Sequence, residues 1–241
     1  MNNLIDKIKI YGIKKTIRFI FSEIKRTIIM VIIKESFSQK GEDLIIDKLL
    51  NYKTHGFYVD VGANDPDRFS NTKRFYLKGW TGINIDPNLQ SIDKFKKKRA
   101  KDININLGVG NTSGTLRFYK FFPDTLSTFS EEESNNYLKQ GYKLRDTIDI
   151  KVEKLSNILN KFINKKKIDF ISIDTEGFDL EVLKSNDWEK YKPKCVCIET
   201  ESHDIESQKT EYKRKCHIFL LNIGYKLYID NGLNSIYVHQ N

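Results

Sequence analysis

The sequence has no apolar run long enough to cross a membrane. Its longest such run, residues 28–33, is far shorter than the ~20 residues that a spanning helix requires. No small-residue cleavage site follows this run, so we do not expect a secretory signal peptide. The expected location is the cytoplasm, and a position at the inner face of the membrane depends on the basic segment described below.

Cysteine is also scarce, with three residues at Cys195, Cys197 and Cys216 and no C-x-x-C pair. An odd number of cysteines with this spacing argues against a disulfide framework, a zinc site or a thiol nucleophile. Two of the three lie in an apolar run that is typical of a strand. We therefore expect buried thiols in a reducing compartment.

Positive charge is concentrated at the start of the chain. Residues 1–36 contribute +5 of the net charge of +9, from eight Lys or Arg against three Asp or Glu. Apolar residues recur near helical spacing among these charges, which predicts a basic amphipathic helix. Two interpretations are open: peripheral contact with an anionic membrane surface, or packing on the chain's own domain or across a homodimer.

Residues 37–241 are predicted to form one α/β domain. The chain has 241 residues, 39% hydrophobic and 30% charged, which is enough for one substantial core in a soluble globular protein. Strand patterns alternate with helix patterns, and Asn231-Gly232 then marks a hairpin turn. We expect a doubly wound, mostly parallel sheet with an antiparallel C-terminal hairpin, preceded by the N-terminal helical extension.

A long connection, residues 123–147, is predicted to be an insertion between strands over 115–122 and 148–152. Ser130 is a favourable N-cap for a short helix with an acidic first turn, and Gly141 is expected to end that helix. A helix on a long connection at the sheet edge could serve as a lid over a substrate, or it could be decoration.

The basic run at residues 94–99 resembles a nucleic-acid patch, but a solvated helix face is the more common explanation for such a run. The sequence also has no Asn/Asp-Pro-Pro-aromatic motif that would hold a flipped base. We therefore expect no nucleic-acid partner. The strand that follows is predicted over residues 103–109.

The stretch 56–65 has the form of a nucleotide-binding turn. Its strand ends at Asp60 and breaks at Gly62, where a small residue lets the backbone approach a ligand closely. Asp86 ends the next strand 24 positions after Gly62, close to the ~20-residue offset at which an acid meets ribose hydroxyls. A plain Asp-Pro turn is the alternative for Asp86. Asp67 occupies the third glycine position of G-x-G-x-x-G, which disfavours a nicotinamide oxidoreductase.

A second polar cluster is expected where two central strands end. The near-continuous apolar run at 168–173 predicts a strand buried on both faces, and Asp174 and Glu176 follow it. Glu199 and His203 follow the next strand. These side chains could act as a general base. The alternative for Asp174 and Glu176 is helix capping and turn formation. Converging carboxylates could also hold Mg²⁺ or another hard cation, although we do not predict a metal.

Five motifs in a fixed order resemble the FkbM family of S-adenosylmethionine-dependent methyltransferases over roughly residues 37–200. They are Ser38-Gln39…Gly41-Glu42-Asp43, Val59-Asp60-Val61-Gly62-Ala63-Asn64-Asp65, Ser70-Asn71-Thr72, Gly79-Trp80-Thr81-Gly82-Ile83-Asn84-Ile85-Asp86-Pro87 and Ile173-Asp174-Thr175-Glu176-Gly177-Phe178. Two positions depart from the family pattern, because Pro66 stands where glycine is usual and Asp86 where glutamate is common. Neither departure removes a required carboxylate.

The resemblance implies the class I methyltransferase fold, a Rossmann-like sheet of seven strands, with S-adenosylmethionine as cofactor. It assigns the methionine half of the cofactor to Asp60, Gly62, Ala63 and Asn64. It assigns the cofactor carboxylate to Ser70, Asn71 and Thr72, the ribose hydroxyls to Asp86, and the adenine to Leu107, Gly108 and Val109. Members of the family mostly methylate hydroxyl groups of sugars or other small metabolites.

We therefore expect an O-methyltransferase that acts on a sugar or nucleotide-sugar in surface polysaccharide biosynthesis. Asp174, Glu176, Glu199 and His203 are the candidates for the general base, because they end two adjacent central strands. Asp174 or Glu199 is preferred, with Glu176 second, and His203 fits a surface loop better. The alternatives are an amide or phosphorus oxyacid acceptor, an NAD-binding oxidoreductase, and a non-catalytic membrane-associated binding module that depends on residues 1–36 alone.

Overall fold

The computed structural model describes residues 35–163, 166–199 and 208–240 together with scattered positions between 8 and 29, the side chains of 208–210 excepted. The basic helix predicted over 1–36 lies mostly outside the described residues, so its partner stays a prediction. His203 also lies outside them. No helix in the described part of the chain has the length and apolar character needed to cross a membrane.

Helices and strands alternate along the described chain. The helices are α1 (Glu42–Leu49), α2 (Lys73–Leu77), α3 (Leu89–Lys98), α4 (Glu131–Lys139), α5 (Leu155–Phe162), α6 (Asp179–Lys184) and α7 (Gln208–Asn222), with a 3-10 turn at Asp124–Leu126. The strands are β1 (Phe57–Val61), β2 (Thr81–Asp86), β3 (Ile103–Asn106), β4 (Gly108–Val109), β5 (Gly114–Phe122), β6 (Lys143–Glu153), β7 (Phe170–Ile173), β8 (Cys195–Glu199), β9 (Tyr225–Asp230) and β10 (Asn234–His239).

Seven strands form the main sheet in the order β3-β2-β1-β7-β8-β10-β9. The first five strands in this order, β3, β2, β1, β7 and β8, are parallel to one another, and β10 is antiparallel to both of its neighbours. Both the mostly parallel sheet and the C-terminal hairpin at Asn231-Gly232 are therefore confirmed. The strand order changes direction at β1 and β7, so the carboxyl ends of these strands border the crevice where such sheets bind ligands.

The alternation of side chains along β1 divides the core between the two faces of the sheet. Val59 and its neighbours on one face pack against α5, α6 and α7, while Tyr58 on the other face packs with α1 and α2. On that second face the ring of Phe75 lies 5.0 Å from Trp80 and 4.6 Å from Phe170, measured between ring centroids. Cys195, Cys197 and Cys216 are buried free thiols in these clusters, as expected from the sequence.

Three strands, β4, β6 and β5, form a second sheet beside the first. The strand predicted over 103–109 is split, because β3 ends at Asn106 and Gly108–Val109 pairs with β6 instead. The Asn106 amide marks the break by donating to the backbone oxygens of Asp86 and Pro87 at 3.0 and 2.9 Å. The strand predicted over 148–152 is β6, which is more than twice as long. The sequence did not reveal the added residues because they are largely exposed and show no apolar alternation.

The insertion contains the predicted helix. The Ser130 hydroxyl accepts the Glu133 N–H at 3.2 Å, which confirms the N-cap at the start of α4. The helix ends just before Gly141, whose φ of +85° is the left-handed conformation that stops helices. The last five residues of the predicted insertion belong to β6, so the connection between β5 and β6 is shorter than 123–147.

Candidate active site

A cleft at the carboxyl edge of the main sheet brings most of the candidate residues together. Twelve of them line it: Asp60, Gly62, Ala63, Asn64, Ser70, Asn71, Asp86, Leu107, Val109, Asp174, Glu176 and Glu199. Thr72 and Gly108 are buried and are not among the residues that line the cleft, so their contact with the cofactor stays a prediction. The lining also includes side chains that we did not predict for the site: Gln39, which belongs to the first family motif, and Phe118 and Phe129, which belong to none of the five motifs.

Gly62 brings the turns after β1 and β7 into contact. Its φ is +77°, and a Cβ added to it would lie 1.8 Å from the backbone oxygen of Asp174. We predicted that a small residue here allows a close approach to a ligand. The structure adds a different cause, because the nearest group is the neighbouring turn. This contact places the Asp60 side of the cleft directly beside the carboxylates that follow β7.

Asp86 connects the loops that follow β1 and β2. Its carboxylate accepts the backbone N–H groups of Asn64 at 2.9 Å and Asn88 at 2.7 Å. Burial raises the pKa of Asp86 to about 6, and the two N–H groups oppose that rise. The carboxylate is thus oriented at the cleft by backbone donors, as a group that binds ribose hydroxyls requires.

Asp60 is held from behind by a buried hydroxyl. The Thr72 Oγ1 donates to Asp60 at 2.6 Å, and Arg99 donates to Thr72 Oγ1 at 2.7 Å and to Ser70 Oγ at 2.8 Å. Burial raises the pKa of Asp60, while Thr72 and the Arg99 charge lower it. Thr72 therefore contributes to the site through its hydrogen bond to the Asp60 carboxylate.

Arg99 corrects our interpretation of the basic run 94–99. The four lysines of the run are exposed, but Arg99 is only 1% exposed. The sequence did contain a signal that Arg99 is buried. Arg99 follows Ile92 by seven residues and Phe95 by four, which is the spacing of one helix face, and Ile92 and Phe95 are both fully buried. The sequence of the run indicated a solvated face because its four lysines outnumber the two buried positions, Phe95 and Arg99.

Three carboxylates meet on the other side of the cleft. Oxygens of Asp174, Glu176 and Glu199 lie within 4.8 Å of one another. Burial and the nearby charge of Asp179 raise the pKa of Asp174 to about 7, while burial and the Asp174 charge raise the pKa of Glu176 and of Glu199 well above the usual value. Three carboxyl groups this close cannot all be ionised near neutral pH, because their negative charges repel one another. The cluster therefore retains protons at neutral pH.

This cluster has two chemical uses. A carboxylate with a pKa near 7 is suited to act as a general base at neutral pH. Three converging carboxylate oxygens could instead hold a hard divalent cation, whose charge would ionise them. Helix capping by Asp174 or Glu176 is not observed, because the residue before α6 is Phe178 and no side chain caps that helix. Glu176 does lie in the bend after β7, with a positive φ of +52°, as the turn-forming alternative expects.

The insertion packs onto the carboxylate cluster. The Tyr137 hydroxyl donates to Glu176 Oε2 at 2.5 Å, and Thr128 Oγ1 donates to the Glu176 backbone oxygen at 2.8 Å. Glu176 and Gly177 both have positive φ, at +52° and +86°, and a Cβ on Gly177 would lie 2.4 Å from the Glu133 side chain. The insertion is therefore part of the wall of the cleft.

The doubly wound sheet, with acidic side chains at the ends of β1 and β2 lining one cleft, defines a protein that binds a nucleotide-like ligand. A family model described as the methyltransferase FkbM domain matches residues 60–227, which is more than half of the chain. The chain belongs to this family, and S-adenosylmethionine-dependent methyl transfer is its reaction class. The resemblance noted in the sequence is confirmed.

Solved structures with a similar arrangement include three proteins of low sequence identity. They are a fibrillarin pre-rRNA processing protein of Methanococcus jannaschii (13% identity, 78% of this chain and 68% of that chain, TM-score 0.42), a TehB-like SAM-dependent methyltransferase from Corynebacterium glutamicum (11%, 83% and 88%, 0.40) and a precorrin 8w decarboxylase of Methanobacterium thermoautotrophicum (15%, 82% and 89%, 0.38). These scores are too low to carry an argument about this chain. A comparison with curated protein sequences returns no match.

Proposed function

We propose that this methyltransferase transfers the methyl group of S-adenosylmethionine to a hydroxyl oxygen of a sugar or nucleotide-sugar, in the biosynthesis of a surface polysaccharide. The observation that supports this acceptor chemistry is the cluster of Asp174, Glu176 and Glu199 beside the donor half of the cleft. An alcohol must lose its proton as the new bond forms, and a positioned carboxylate can accept that proton.

The donor would occupy the side of the cleft formed by the turns after β1 and β2. Its methionine half would lie along the turn from Asp60 to Asn64, near Ser70 and Asn71. Its ribose hydroxyls would bind Asp86, and its adenine would lie between Leu107 and Val109. The structure supports this assignment by placing all of these residues on one cleft. This assignment leaves the side of the cleft formed by Asp174, Glu176 and Glu199 to the acceptor.

The acceptor would enter beside the insertion, with its hydroxyl close to the carboxylates. Methyl transfer is an in-line displacement, so holding this oxygen opposite the sulfonium supplies much of the rate. Asp174 is the best candidate for the base, because its pKa of about 7 leaves it ionised in part at neutral pH. Glu199 and Glu176 have pKa values well above the usual one, which favours their protonated forms.

The basic segment 1–36 fits the same proposal. Its charge of +5 suits an anionic substrate such as a nucleotide-linked sugar, or a biosynthetic complex on the inner face of the membrane. We therefore propose a cytoplasmic enzyme with a peripheral membrane contact, and a homodimer as the other use of the segment. Vesicle flotation of the full chain against a chain lacking residues 1–36 distinguishes these two uses.

Asp86→Ala tests the donor assignment by calorimetry with S-adenosylmethionine. Losing hydrogen bonds to a charged group costs about 1.5–3 kcal/mol, so we expect donor affinity to fall about 10- to 150-fold. The matched control is Asp93→Ala, which removes an exposed aspartate from α3 and should leave affinity unchanged. Wild-type protein that binds NAD and does not bind S-adenosylmethionine would contradict the proposal.

A screen of hydroxyl, amide and phosphorus oxyacid acceptors, read out as S-adenosylhomocysteine formed, then tests the acceptor. We expect turnover only with hydroxyl compounds, and with nucleotide-sugars or saccharides above the others. Exclusive methylation of an amide or a phosphorus oxyacid would refute the hydroxyl assignment.

Exhaustive chelation tests whether a cation takes part. We expect turnover to persist after chelation, because the cluster already has a carboxylate with a pKa of about 7 and needs no metal to produce a base. Loss of turnover that added Mg²⁺ restores, with donor binding unchanged, would show instead that the three carboxylates hold a metal that acidifies the acceptor hydroxyl.

A further inference from the structure

We propose that Arg99 is a positioning residue for the methyl donor: through the hydroxyl of Thr72 it holds the Asp60 carboxylate toward the donor's ammonium group. The inference depends on the proposed binding of S-adenosylmethionine in this cleft. Neither Arg99 nor Thr72 lines the cleft, so Thr72 would act through Asp60, and Arg99 through Thr72 and through its direct contact with Ser70.

The hydrogen bonds run in one direction from Arg99 to Asp60. The Thr72 hydroxyl has one hydrogen, and it donates this hydrogen to Asp60 Oδ2 at 2.6 Å. Its oxygen is then free to accept the Arg99 N–H at 2.7 Å. The guanidinium also donates to Ser70 Oγ at 2.8 Å and to the backbone oxygen of Pro66. One buried cation thus holds both Asp60 and the loop that includes Ser70.

The guanidinium is enclosed by protein. Arg99 is 1% exposed, and it is the one buried Lys or Arg among the residues that the structure describes. Its guanidinium carbon lies 5.0 Å from the ring centre of Phe95 and 5.6 Å from that of Tyr76. Burying a charge in this way is costly unless partners compensate it, and a lysine could not make these forked contacts.

The other ionisable groups near Asp60 cannot replace Arg99. They are Asp86 and Asp174 at the ends of the neighbouring strands, Asp102 and Tyr58 behind the loop, and Cys197 on β8. All of these are acids, and Asp102 already accepts Tyr58, the Gly82 N–H and Asn84. Without Arg99, the ionisable groups named above as neighbours of Asp60 would all be acids. The pKa of Asp60, which burial already raises, would therefore rise further.

Removing the cation should therefore weaken donor binding in a pH-dependent way. Only the ionised carboxylate of Asp60 attracts an ammonium group, so affinity falls as the pH drops through the pKa of Asp60. The Arg99→Met variant raises that pKa, so its affinity begins to fall at a higher pH than in wild type. The donor's own amino group titrates identically in both proteins and cancels in the ratio of the two affinities.

The test is calorimetry with S-adenosylmethionine between pH 5.5 and 7.5, using Arg99→Met, Arg99→Lys, Thr72→Val and Thr72→Ser. We expect Arg99→Met and Thr72→Val to lose about 10- to 100-fold in affinity, with the largest loss at the acid end. Thr72→Ser keeps the hydroxyl and should restore binding, while Arg99→Lys should restore it in part. Lys97→Met removes an exposed charge two residues away and should bind as wild type does.

Thermal unfolding of the same variants separates positioning from folding. If Arg99→Met fails to fold, the Thr72→Val and Thr72→Ser pair still decides, because Thr72→Val leaves the other Arg99 contacts intact. Equal loss of affinity at every pH, or no difference between Thr72→Val and Thr72→Ser, would overturn the inference while wild type still binds the donor. Absence of donor binding in wild type would overturn the proposed donor site first, and this inference with it.

Discussion

Asp174→Asn should lower turnover by about 10²- to 10⁴-fold, the usual contribution of a general base. Asparagine matches the shape of aspartate but cannot accept the acceptor's proton. Donor affinity should change little, because Asp174 lies on the acceptor side of the cleft. Turnover is measured on the acceptor found by the screen, and donor affinity by calorimetry.

The pH profile makes this prediction more specific. A base must be ionised to act, so wild-type kcat/KM should rise as the pH increases through about 7, where burial and the Asp179 charge place the pKa of Asp174. In Asp174→Asn this rise of kcat/KM with pH, the acid limb of the profile, should disappear. The hydrogen bond from Glu199 lowers the pKa of Asp174, so Glu199→Leu, which removes this bond, should shift the limb to higher pH, whereas Glu199→Gln keeps a donor and should shift it less.

Asp149→Asn is the matched control, since Asp149 is an exposed aspartate on β6. It should leave both turnover and the pH profile as in wild type. If Asp174→Asn keeps turnover within about threefold and keeps the same acid limb, Asp174 is not the base, since a base contributes at least about 10²-fold. A larger loss in Glu199→Gln at every pH would assign the base to Glu199.

The donor side of the site was predictable because parallel strands end at one edge of their sheet. Asp60 and Asp86 each end a predicted strand, so their meeting at one cleft follows from the topology alone. The same rule brings Asp174 and Glu199 together, since each stands at or just after the end of a strand. Strand ends are local features, and local patterns in the sequence reveal them.

The contacts that orient these acids were not predictable, because they join distant parts of the chain. Tyr137 and Glu176 are 39 residues apart, and the helix of Tyr137 belongs to an insertion whose docking surface leaves no periodic pattern. We expected the Thr72 side chain to contact the cofactor, but its hydroxyl donates to Asp60. The sequence does not reveal to which side of its loop such a hydroxyl points. Arg99 was obscured by the exposed lysines before it, although its helical spacing from Ile92 and Phe95 marked the buried face.

Gly62→Ala should destabilise the fold by about 2–5 kcal/mol, the second large effect that we expect. Part of this cost is the positive φ of +77°, which a Cβ makes unfavourable. The rest is steric, because the new Cβ would lie 1.8 Å from the Asp174 backbone oxygen, and a backbone atom in a central turn cannot move away cheaply. For a chain of this size each kcal/mol lowers Tm by about 2–4 °C, so Tm should fall by roughly 5–20 °C.

Gly79→Ala separates the two parts of this cost. Gly79 has a similar φ of +91°, but a Cβ there would meet nothing within 4 Å. It should therefore show only the backbone penalty, about 1–2 kcal/mol. The difference between the two variants in chemical denaturation measures the contact between the turns after β1 and β7. Equal losses would mean that this contact relaxes at little cost and that Gly62 is needed for its φ alone. A larger loss in Gly62→Ala, with weaker donor binding, would mean that one glycine holds the donor and acceptor sides of the cleft together.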